Sequence, residues 1–347
     1  MLDEQSLTLN LLAFALAAIV ILWAGVKLAA YADKIADRTG MGEALIGSVF
    51  LGLTTALPGL AASIFAAIDG RPALAISNAI GGIALQTTFL AFADIAHGKA
   101  NLEHAAASVT NMIQTTMLVI LLACVLFGMT GPDVTVMHVH PATLVLFLLA
   151  GVGFWMVFKS AAEPMWLPNK TSDTVEDIPD QSKSTESLPK LIAYFALIAA
   201  LVTLAGIVVA DATGTIADKM QISETLAGAL LSGVATSLPE LVTTIAAVRR
   251  GSLTLAVSDI VGGNFFDVLF VAAADLVYFE GSLYHAAGIG NMEEFLTVLA
   301  ILLNLVFLLG LLFRQRKGTA NIGFESVAML LLYFFGFSIM ATGWIRQ

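Results

Sequence analysis

Two stretches of this sequence are copies of one pattern, and they decide the fold. Residues 52–95 read GLTTALPGLAASIFAAIDGRPALAISNAIGGIALQTTFLAFADI. Residues 233–276 read GVATSLPELVTTIAAVRRGSLTLAVSDIVGGNFFDVLFVAAADL. A shift of 181 residues aligns the copies without gaps, and 18 of the 50 positions in 46–95 are identical to their counterparts in 227–276. The matches keep a proline, paired glycines and an aspartate in one register, which chance similarity between apolar helices would not do.

The composition is that of an integral membrane protein. Of the 347 residues, 58% are hydrophobic and 12% are charged, whereas soluble domains are about half apolar and about a quarter charged. Hydrophobic runs bounded by polar turns predict ten helices long enough to cross a bilayer. The runs cover roughly 8–30, 43–68, 73–96, 105–128, 141–158, 191–211, 224–248, 253–278, 294–313 and 322–345. We therefore predict an all-α integral membrane fold with ten transmembrane helices.

The distribution of Lys and Arg predicts that both termini lie outside. With ten crossings and an external N-terminus, thirteen of the sixteen Lys and Arg residues fall on the cytoplasmic side, which is the side that positive loops favour. Five spans per half is an odd number, so the second copy has inverted topology, an arrangement typical of secondary transporters. We expect a first five-helix repeat at 1–158 (containing 46–95), a cytoplasmic linker at 159–190, and a second five-helix repeat at 191–347 (containing 227–276).

Polar residues within the interrupted helices predict a cation site. Charge inside a bilayer is costly, so Glu240 and Asp259 are functional candidates by default. Pro58 and Pro239 cannot donate backbone hydrogen bonds, which frees carbonyl oxygens one turn earlier. Carboxylate, hydroxyl, amide and carbonyl oxygens, without convergent His or Cys, favour a hard cation such as Ca²⁺ or Na⁺. The candidate ligands are Glu240, Asp259, Asn78, Thr55, Ser77, Thr236, Ser237 and Ser258.

Further polar residues are candidates for supporting roles. Thr54 adds a hydroxyl in the first copy, and Gln86 and its counterpart Asp267 could line an access path, form a second site, or make a helix-packing hydrogen bond. Asp94 and Asp275 lie near the ends of spans, and we interpret them as interfacial. Each of these features also has a purely structural explanation, because Ser, Thr and Asn often join helices inside a membrane.

Several function classes are excluded by the sequence. The longest basic run is RQRK at 314–317, so nucleic acid is not an expected partner. No nucleophile–base arrangement or phosphate-binding loop indicates an enzyme, and no cofactor is expected besides the transported ions. Cys124 stands alone in an apolar run, and we interpret it as a small core residue. The expected partners are inorganic cations and the lipid bilayer.

The two copies resemble the alpha-repeats of the cation/calcium exchanger superfamily, the sodium/calcium and proton/calcium antiporters. The second copy carries the pattern of that superfamily as Thr236, Ser237, Pro239, Glu240, Asp259, Gly262, Gly263 and Asn264. The resemblance implies that Glu240 and Asp259 are cation ligands, and that Thr236, Ser237 and Ser258 add oxygens. It also implies a secondary antiporter that exchanges Ca²⁺ against Na⁺ or H⁺ by alternating access. The short loops suggest a prokaryotic inner membrane.

The first copy departs from the superfamily pattern at its acidic position. Gly59 stands where the superfamily has glutamate, and Ala56 stands where it has serine. The expected site therefore has a formal charge of −2 rather than −3, and we interpret Gly59 as leaving room for water or another ion geometry. Two alternatives remain open: an exchanger fold specialised for the monovalent cations Na⁺ and H⁺, and a membrane scaffold that binds a cation without transporting it.

Overall fold

The computed structural model describes residues 6–39, 52–98, 100–174, 187–318 and 322–342. Within these ranges the chain is helical and contains no β-strand beyond a single bridge between Val136 and Val139. The long helices are α1 (Leu7–Thr39), α2 (Leu57–Ile68), α3 (Pro72–His97), α4 (Val109–Thr130), α5 (Pro141–Ala162), α6 (Leu188–Met220), α7a (Glu224–Thr236), α7b (Leu238–Arg250), α8 (Leu253–Val277), α9 (Asn291–Phe313) and α10 (Phe324–Ala341).

The helices confirm a multi-pass membrane protein. In the described ranges, eight helices are long and apolar enough to cross a membrane, and α7a with α7b forms a ninth, bent span. The predicted span at 43–68 begins in residues 40–51, which lie outside the described residues. Its described part is helical at 52–55 and continues as the 12-residue α2. The all-α membrane fold is thus confirmed, while the count of ten spans stays a prediction.

Both copies of the repeated sequence are interrupted at the same place. A turn at Ala56 precedes α2, and Ser237 separates α7a from α7b, which are bent by 48°. Pro58 and Pro239 each lie in the first turn of the helix that follows the break, where the missing N–H does no harm. The carbonyl groups of Thr54 and Ala235, four residues earlier, lose the donor that a continuous helix would supply.

The two copies also pack against each other through glycines at matched positions. A Cβ added to Gly52 would lie 3.0 Å from the backbone nitrogen of Gly263, and one added to Gly233 would lie 3.1 Å from that of Gly82. Glycine allows these close approaches, because a Cβ at either position would require the neighbouring backbone to move by a few tenths of an ångström. They bring each interrupted helix against the central helix of the other copy, α8 or α3, and these two helices are buried along most of their length.

Contacts that match between the two halves also occur in α1 and α6, which lie largely outside the aligned ranges 46–95 and 227–276. α1 and α6 pack along each other. Gly25 of α1 contacts the interruption in the second copy, and Gly206 of α6 contacts the interruption in the first copy. A Cβ on Gly25 would overlap the ring of Pro239, and a Cβ on Gly206 would overlap the backbone of Pro58. Gly25 and Gly206 differ by the same 181 residues as the two prolines. The structural correspondence thus includes α1 and α6.

Asp94 and Asp275 lie near the ends of α3 and α8, as expected, and both are fully buried within the protein. Each carboxylate accepts three hydrogen bonds in the same pattern: one from the backbone eight residues later, and two from the start of a distant helix. The donors to Asp94 are Leu102 N at 2.7 Å, Gly323 N at 3.0 Å and Ser326 Oγ at 2.9 Å. The donors to Asp275 are Leu283 N at 2.8 Å, His140 N at 2.9 Å and Thr143 Oγ1 at 2.6 Å. They hold the starts of α10 and α5.

We expect Asp94→Ala and Asp275→Ala each to destabilise the fold by about 3 kcal/mol or more, because three buried donors lose a charged acceptor. Thermal unfolding of the purified protein in detergent measures the effect. Asp133→Ala is the control, since Asp133 is exposed in the loop between α4 and α5. Equal melting temperatures for all three variants would contradict the anchoring role.

One end of the bundle is held by ion pairs around Arg71, in the turn between α2 and α3. Its guanidinium contacts Asp218 at 2.6 Å and Glu224 at 2.8 Å, at the ends of α6 and α7a. The hydrogen bond to Asp218 raises the pKa of Arg71 above its already high ordinary value. The turn between α2 and α3 is thereby fastened to both α6 and α7a.

Candidate functional site

A small cavity lies where the two interrupted helices meet α3 and α8. Its volume is about 10 Å³, which is room for about one water molecule or one dehydrated cation. The residues that line it come from both copies: Ala56, Gly59, Asn78, Gly82 and Gln86 from the first, and Thr236, Ser237, Glu240, Asp267 and Phe270 from the second.

Two carboxylates face this cavity, Glu240 and Asp267. Both are almost completely buried, at 1% and 3% exposure. The hydroxyl of Thr55 lies within hydrogen-bonding reach of Glu240, while Oε2 of Glu240 has no hydrogen-bond partner in the described ranges. An unpaired buried carboxylate oxygen is expensive, so its position at a cavity wall indicates that it can receive an ion or a proton there.

Gln86 joins the two carboxylate-bearing helices. Its Nε2 donates to Oδ2 of Asp267 at 2.8 Å and to Oγ of Ser237 at 3.0 Å. Its own Oε1 has no donor among the described residues, which leaves an amide oxygen free to bind a cation. The sequence indicated Gln86 and Asp267 only for an access path, a second site or helix packing, and the structure places both in the cavity wall.

Asp259 and Ser258, which were predicted as ligands, do not line the cavity. Oδ2 of Asp259 accepts a hydrogen bond from Thr243 at 2.8 Å, and Ser258 donates to Oδ1 of Asn111 at 2.8 Å. The two residues precede Asp267 by eight and nine positions on α8. Ser258 and Oδ2 of Asp259 thus contact α4 and α7b, while Oδ1 of Asp259 has no hydrogen-bond partner in the described ranges.

The first-copy residues Ser77 and Asn78 have different places. Ser77 donates to the backbone oxygens of Leu74 and Glu224 and is absent from the cavity wall. Asn78 lines the cavity, but its polar atoms already have partners. It donates to Gly59 O at 3.1 Å and to Ser63 Oγ at 2.8 Å, and it accepts from Ser232 Oγ at 2.6 Å. Asn78 therefore ties α2, α3 and α7a together at the site.

Some of the predicted hydroxyl residues line the cavity and others do not. Thr236 and Ser237 line the cavity at the break, and Thr236 donates to the backbone oxygen of Ser232 at 3.0 Å. Thr55 reaches Glu240 and also donates to Gly52 O at 3.2 Å. Thr54 is buried but does not line the cavity.

Gly59 lines the cavity, but the space into which a side chain at this position would extend is filled. A Cβ at this position would lie 2.8 Å from Cε2 of Phe270, a distance that side chains do not tolerate. Phe270 is on α8, is 4% exposed, and forms part of the cavity wall. The missing carboxylate is thus replaced by an aromatic ring edge from the other copy. Sequence reasoning missed Phe270 because nothing in one copy alone points to it.

The donor set of the cavity consists of carboxylate, hydroxyl and amide groups. No group of three or more His, Cys, Asp or Glu residues that could hold a metal occurs in the described ranges. A cation in the cavity would be held by two carboxylates together with neutral hydroxyl and amide oxygens, which is a hard and partly exchangeable ligand set.

Known membrane proteins share the sequence pattern of this chain. The family model described as sodium/calcium exchanger protein matches residues 9–161 and 190–341. Inner membrane protein YrbG of Escherichia coli (strain K12) is 24% identical over 258 residues, which cover 73% of this chain and 75% of YrbG.

Solved exchanger structures share the fold. The crystal structure of the H⁺/Ca²⁺ exchanger CAX has a TM-score of 0.71 at 15% sequence identity, covering 97% of this chain and 85% of CAX. The sodium-calcium exchanger NCX_Mj soaked with 10 mM Na⁺ and zero Ca²⁺ has a TM-score of 0.61 at 18% identity, covering 96% and 99% of the two chains. The family match takes in the helices of both copies on either side of the linker. The chain belongs to the sodium/calcium exchanger protein family.

Proposed function

We propose that this protein is a secondary active cation antiporter that exchanges Ca²⁺ against Na⁺ or H⁺ at the cavity between the two interrupted helices. The observation that carries the proposal is the meeting of Glu240 and Asp267 in one buried cavity of single-ion size. Family membership supports the class of activity. The related structures CAX and NCX_Mj are described as H⁺/Ca²⁺ and sodium-calcium exchangers.

The charge of the cavity fits this exchange. Glu240 and Asp267 each contribute −1, so together they balance one Ca²⁺, two Na⁺ or two protons. Ser237, Thr236 and Oε1 of Gln86 supply neutral oxygens, and Thr55 orients the Glu240 carboxylate. An empty pair of buried like charges is costly, so the site is stable only when it holds a cation or protons. This requirement couples the arrival of one ion to the departure of the other.

The architecture that we propose for the exchange is two inverted repeats of five helices, at 1–158 and 191–347, joined by a cytoplasmic linker at 159–190. Ten spans then place both termini outside. The recurrence of glycine, proline and aspartate contacts at one spacing supports the repeats. Inverted repeats allow alternating access, because each half can take the conformation of the other around a fixed midplane site. We propose the inner membrane of a prokaryote as the location.

Gradient-driven uptake tests the proposed activity. The purified protein is reconstituted in proteoliposomes, and ⁴⁵Ca²⁺ uptake is measured with an outward Na⁺ gradient, with an outward H⁺ gradient, and without a gradient. We expect uptake above the background of protein-free vesicles with one of the two gradients. If neither gradient drives uptake, the proposed exchange is wrong.

A second candidate function is exchange of monovalent cations only, and Phe270 favours it. The ring occupies the place of a third carboxylate. Losing one negative charge reduces the Coulomb attraction of the site for a divalent ion twice as much as its attraction for a monovalent ion. Thermal stability in increasing Ca²⁺ or Na⁺ separates the two functions. Stabilisation by Ca²⁺ well below millimolar concentration contradicts the monovalent alternative, and any driven flux contradicts a scaffold that only binds cations.

A further inference from the structure

A pair of buried carboxyl groups lies apart from the cavity, at the end of the bundle next to the linker. Glu103 is in the short helix Leu102–Ala105 and Glu325 is in the first turn of α10. They are 0% and 1% exposed, and their carboxyl groups lie within hydrogen-bonding distance of each other. Along α3, the neighbouring Asp94 is eight residues from Gln86, which is about 12 Å of helix. The pair is therefore separate from the transport site.

The polar atoms of this pair are unsatisfied. None of the four oxygens of Glu103 and Glu325 has a hydrogen-bond donor among the described residues, and Nδ2 of Asn101 has no acceptor there. That nitrogen and Oε1 of Glu325 both adjoin the position that a Cβ on Gly323 would take, so the amide points towards the pair. Buried polar groups normally have partners, and this group of unpaired atoms therefore indicates that a proton or a cation binds there.

The arginines and the lysine at 314–317 do not pair with the two glutamates in the described ranges. Arg314 donates to the backbone oxygens of Asn169 and His104, and Arg316 pairs with Asp173. Lys317 is exposed. The titratable groups that face Glu103 from the neighbouring helices are instead acidic, namely Glu325 on α10 and Asp94 on α3. Asp94 already accepts three hydrogen bonds from other donors.

We propose that Glu103 and Glu325 form a proton-binding site in which the two carboxyl groups share one proton. The proton comes from water on the linker side, and its binding changes the charge of the pair from −2 to −1. The O–H of one carboxyl group then donates to the other. The shared proton holds the start of α10 against the short helix that follows α3, so this end of the bundle responds to pH independently of ion binding in the cavity.

The direction of the response follows from the environment. Burial and the adjacent Glu325 raise the pKa of Glu103 well above its ordinary value. The folded protein therefore keeps a proton that the unfolded chain loses above the ordinary glutamate pKa of about 4.3. Stability is full below that pH and is lost as pH rises towards the raised folded-state pKa.

The test compares melting temperatures of the wild type, Glu103→Gln and Glu325→Gln in detergent between about pH 5 and about pH 9. Glutamine can donate to the remaining carboxylate without titrating. Over this pH range we expect the melting temperature of the wild type to fall further than those of the two variants. The difference should be roughly 2–4 °C for each unit by which the pKa of Glu103 is raised. Glu163→Gln is the control, because Glu163 is exposed in the linker. If both buried-site variants keep the wild-type dependence on pH, the proposal is wrong.

Infrared spectroscopy identifies the occupant of the site. At a pH at which exposed carboxylates are ionised, the difference spectrum of the wild type minus Glu325→Gln should show the C=O band of a protonated carboxyl group, and this band should shift in D₂O. A difference spectrum without that band contradicts the shared proton. A second outcome would also overturn it: Ca²⁺ stabilises a Glu240→Gln protein, and Glu103→Gln abolishes that stabilisation, which would show that a cation occupies the pair. This readout does not depend on transport and stands if the exchange proposal fails.

Discussion

Glu240→Gln and Asp267→Asn are each expected to lower cation affinity by roughly a hundredfold or more and to abolish exchange. Removing one partner of a buried charge interaction costs about 3–5 kcal/mol, and about 1.4 kcal/mol corresponds to a tenfold change in affinity. Both replacements keep the shape of the side chain, and the new amide oxygen in Asp267→Asn can still accept from Gln86. Ca²⁺-dependent thermal shift and gradient-driven ⁴⁵Ca²⁺ uptake in proteoliposomes measure the two effects.

Asp259→Asn is the matched control on the same helix. Asp259 is also buried, but its carboxylate bonds Thr243 and does not line the cavity. We expect this variant to keep Ca²⁺ binding within about tenfold, because its charge acts on the ion only at longer range. A loss at Asp259 as large as at Asp267, or normal exchange in Asp267→Asn, would show that the cation binds elsewhere.

The second large effect concerns Gly59 and Phe270. The sequence pattern alone predicts that Gly59→Glu restores a third carboxylate and strengthens Ca²⁺ binding. Because Phe270 fills that space, we expect the single substitution to destabilise the protein by about 1–3 kcal/mol through overpacking and to leave Ca²⁺ affinity without a gain. Gly59→Glu combined with Phe270→Ala has room for the carboxylate, and its Ca²⁺ affinity should exceed that of Phe270→Ala by roughly tenfold or more.

The matched control is Gly59→Gln with Phe270→Ala, which adds the same volume without the charge. Isothermal titration with Ca²⁺ and with Na⁺ measures both double variants. We expect the glutamate variant to gain affinity for Ca²⁺ more than for Na⁺, because the Coulomb energy scales with the product of the charges. Equal affinities in the glutamate and glutamine variants would mean that residue 59 does not face the ion.

The helices and their interruptions could be predicted from the sequence because they depend on local signals. Long apolar runs give the spans, and Pro58 and Pro239 give the breaks, since proline removes a donor wherever it occurs. The match of 46–95 to 227–276 predicted a meeting of the two copies, and the contacts of Gly52 and Gly233 agree with it.

The choice of ligands could not be predicted in the same way. Asp259 and Asp267 are both acidic and both on α8, and eight residues at about 3.6 per turn place them about 80° apart around the helix. Which of them faces the cavity depends on the rotation of α8 against α7b, which a single sequence does not give. One signal was present: Gln86 and Asp267 are counterparts in the two copies, and such counterparts can meet where the copies adjoin.

What fills the space next to Gly59 also could not be predicted from the first copy alone. The sequence shows that a carboxylate is absent there, but the ring that fills the gap comes from a residue 211 positions later in the chain. The buried state of Asp94 and Asp275 is a similar case, because their donors on α10 and α5 are distant in the sequence.

The position of a bound cation tests the account most directly. A structure of the protein with Sr²⁺ or Mn²⁺ as a substitute for Ca²⁺, with anomalous scattering to locate the ion, shows which side chains bind it. We expect a peak between the carboxylates of Glu240 and Asp267, within reach of Ser237 and Oε1 of Gln86. A peak at Asp259 and Ser258, with the cavity at Glu240 empty, would contradict the assignment.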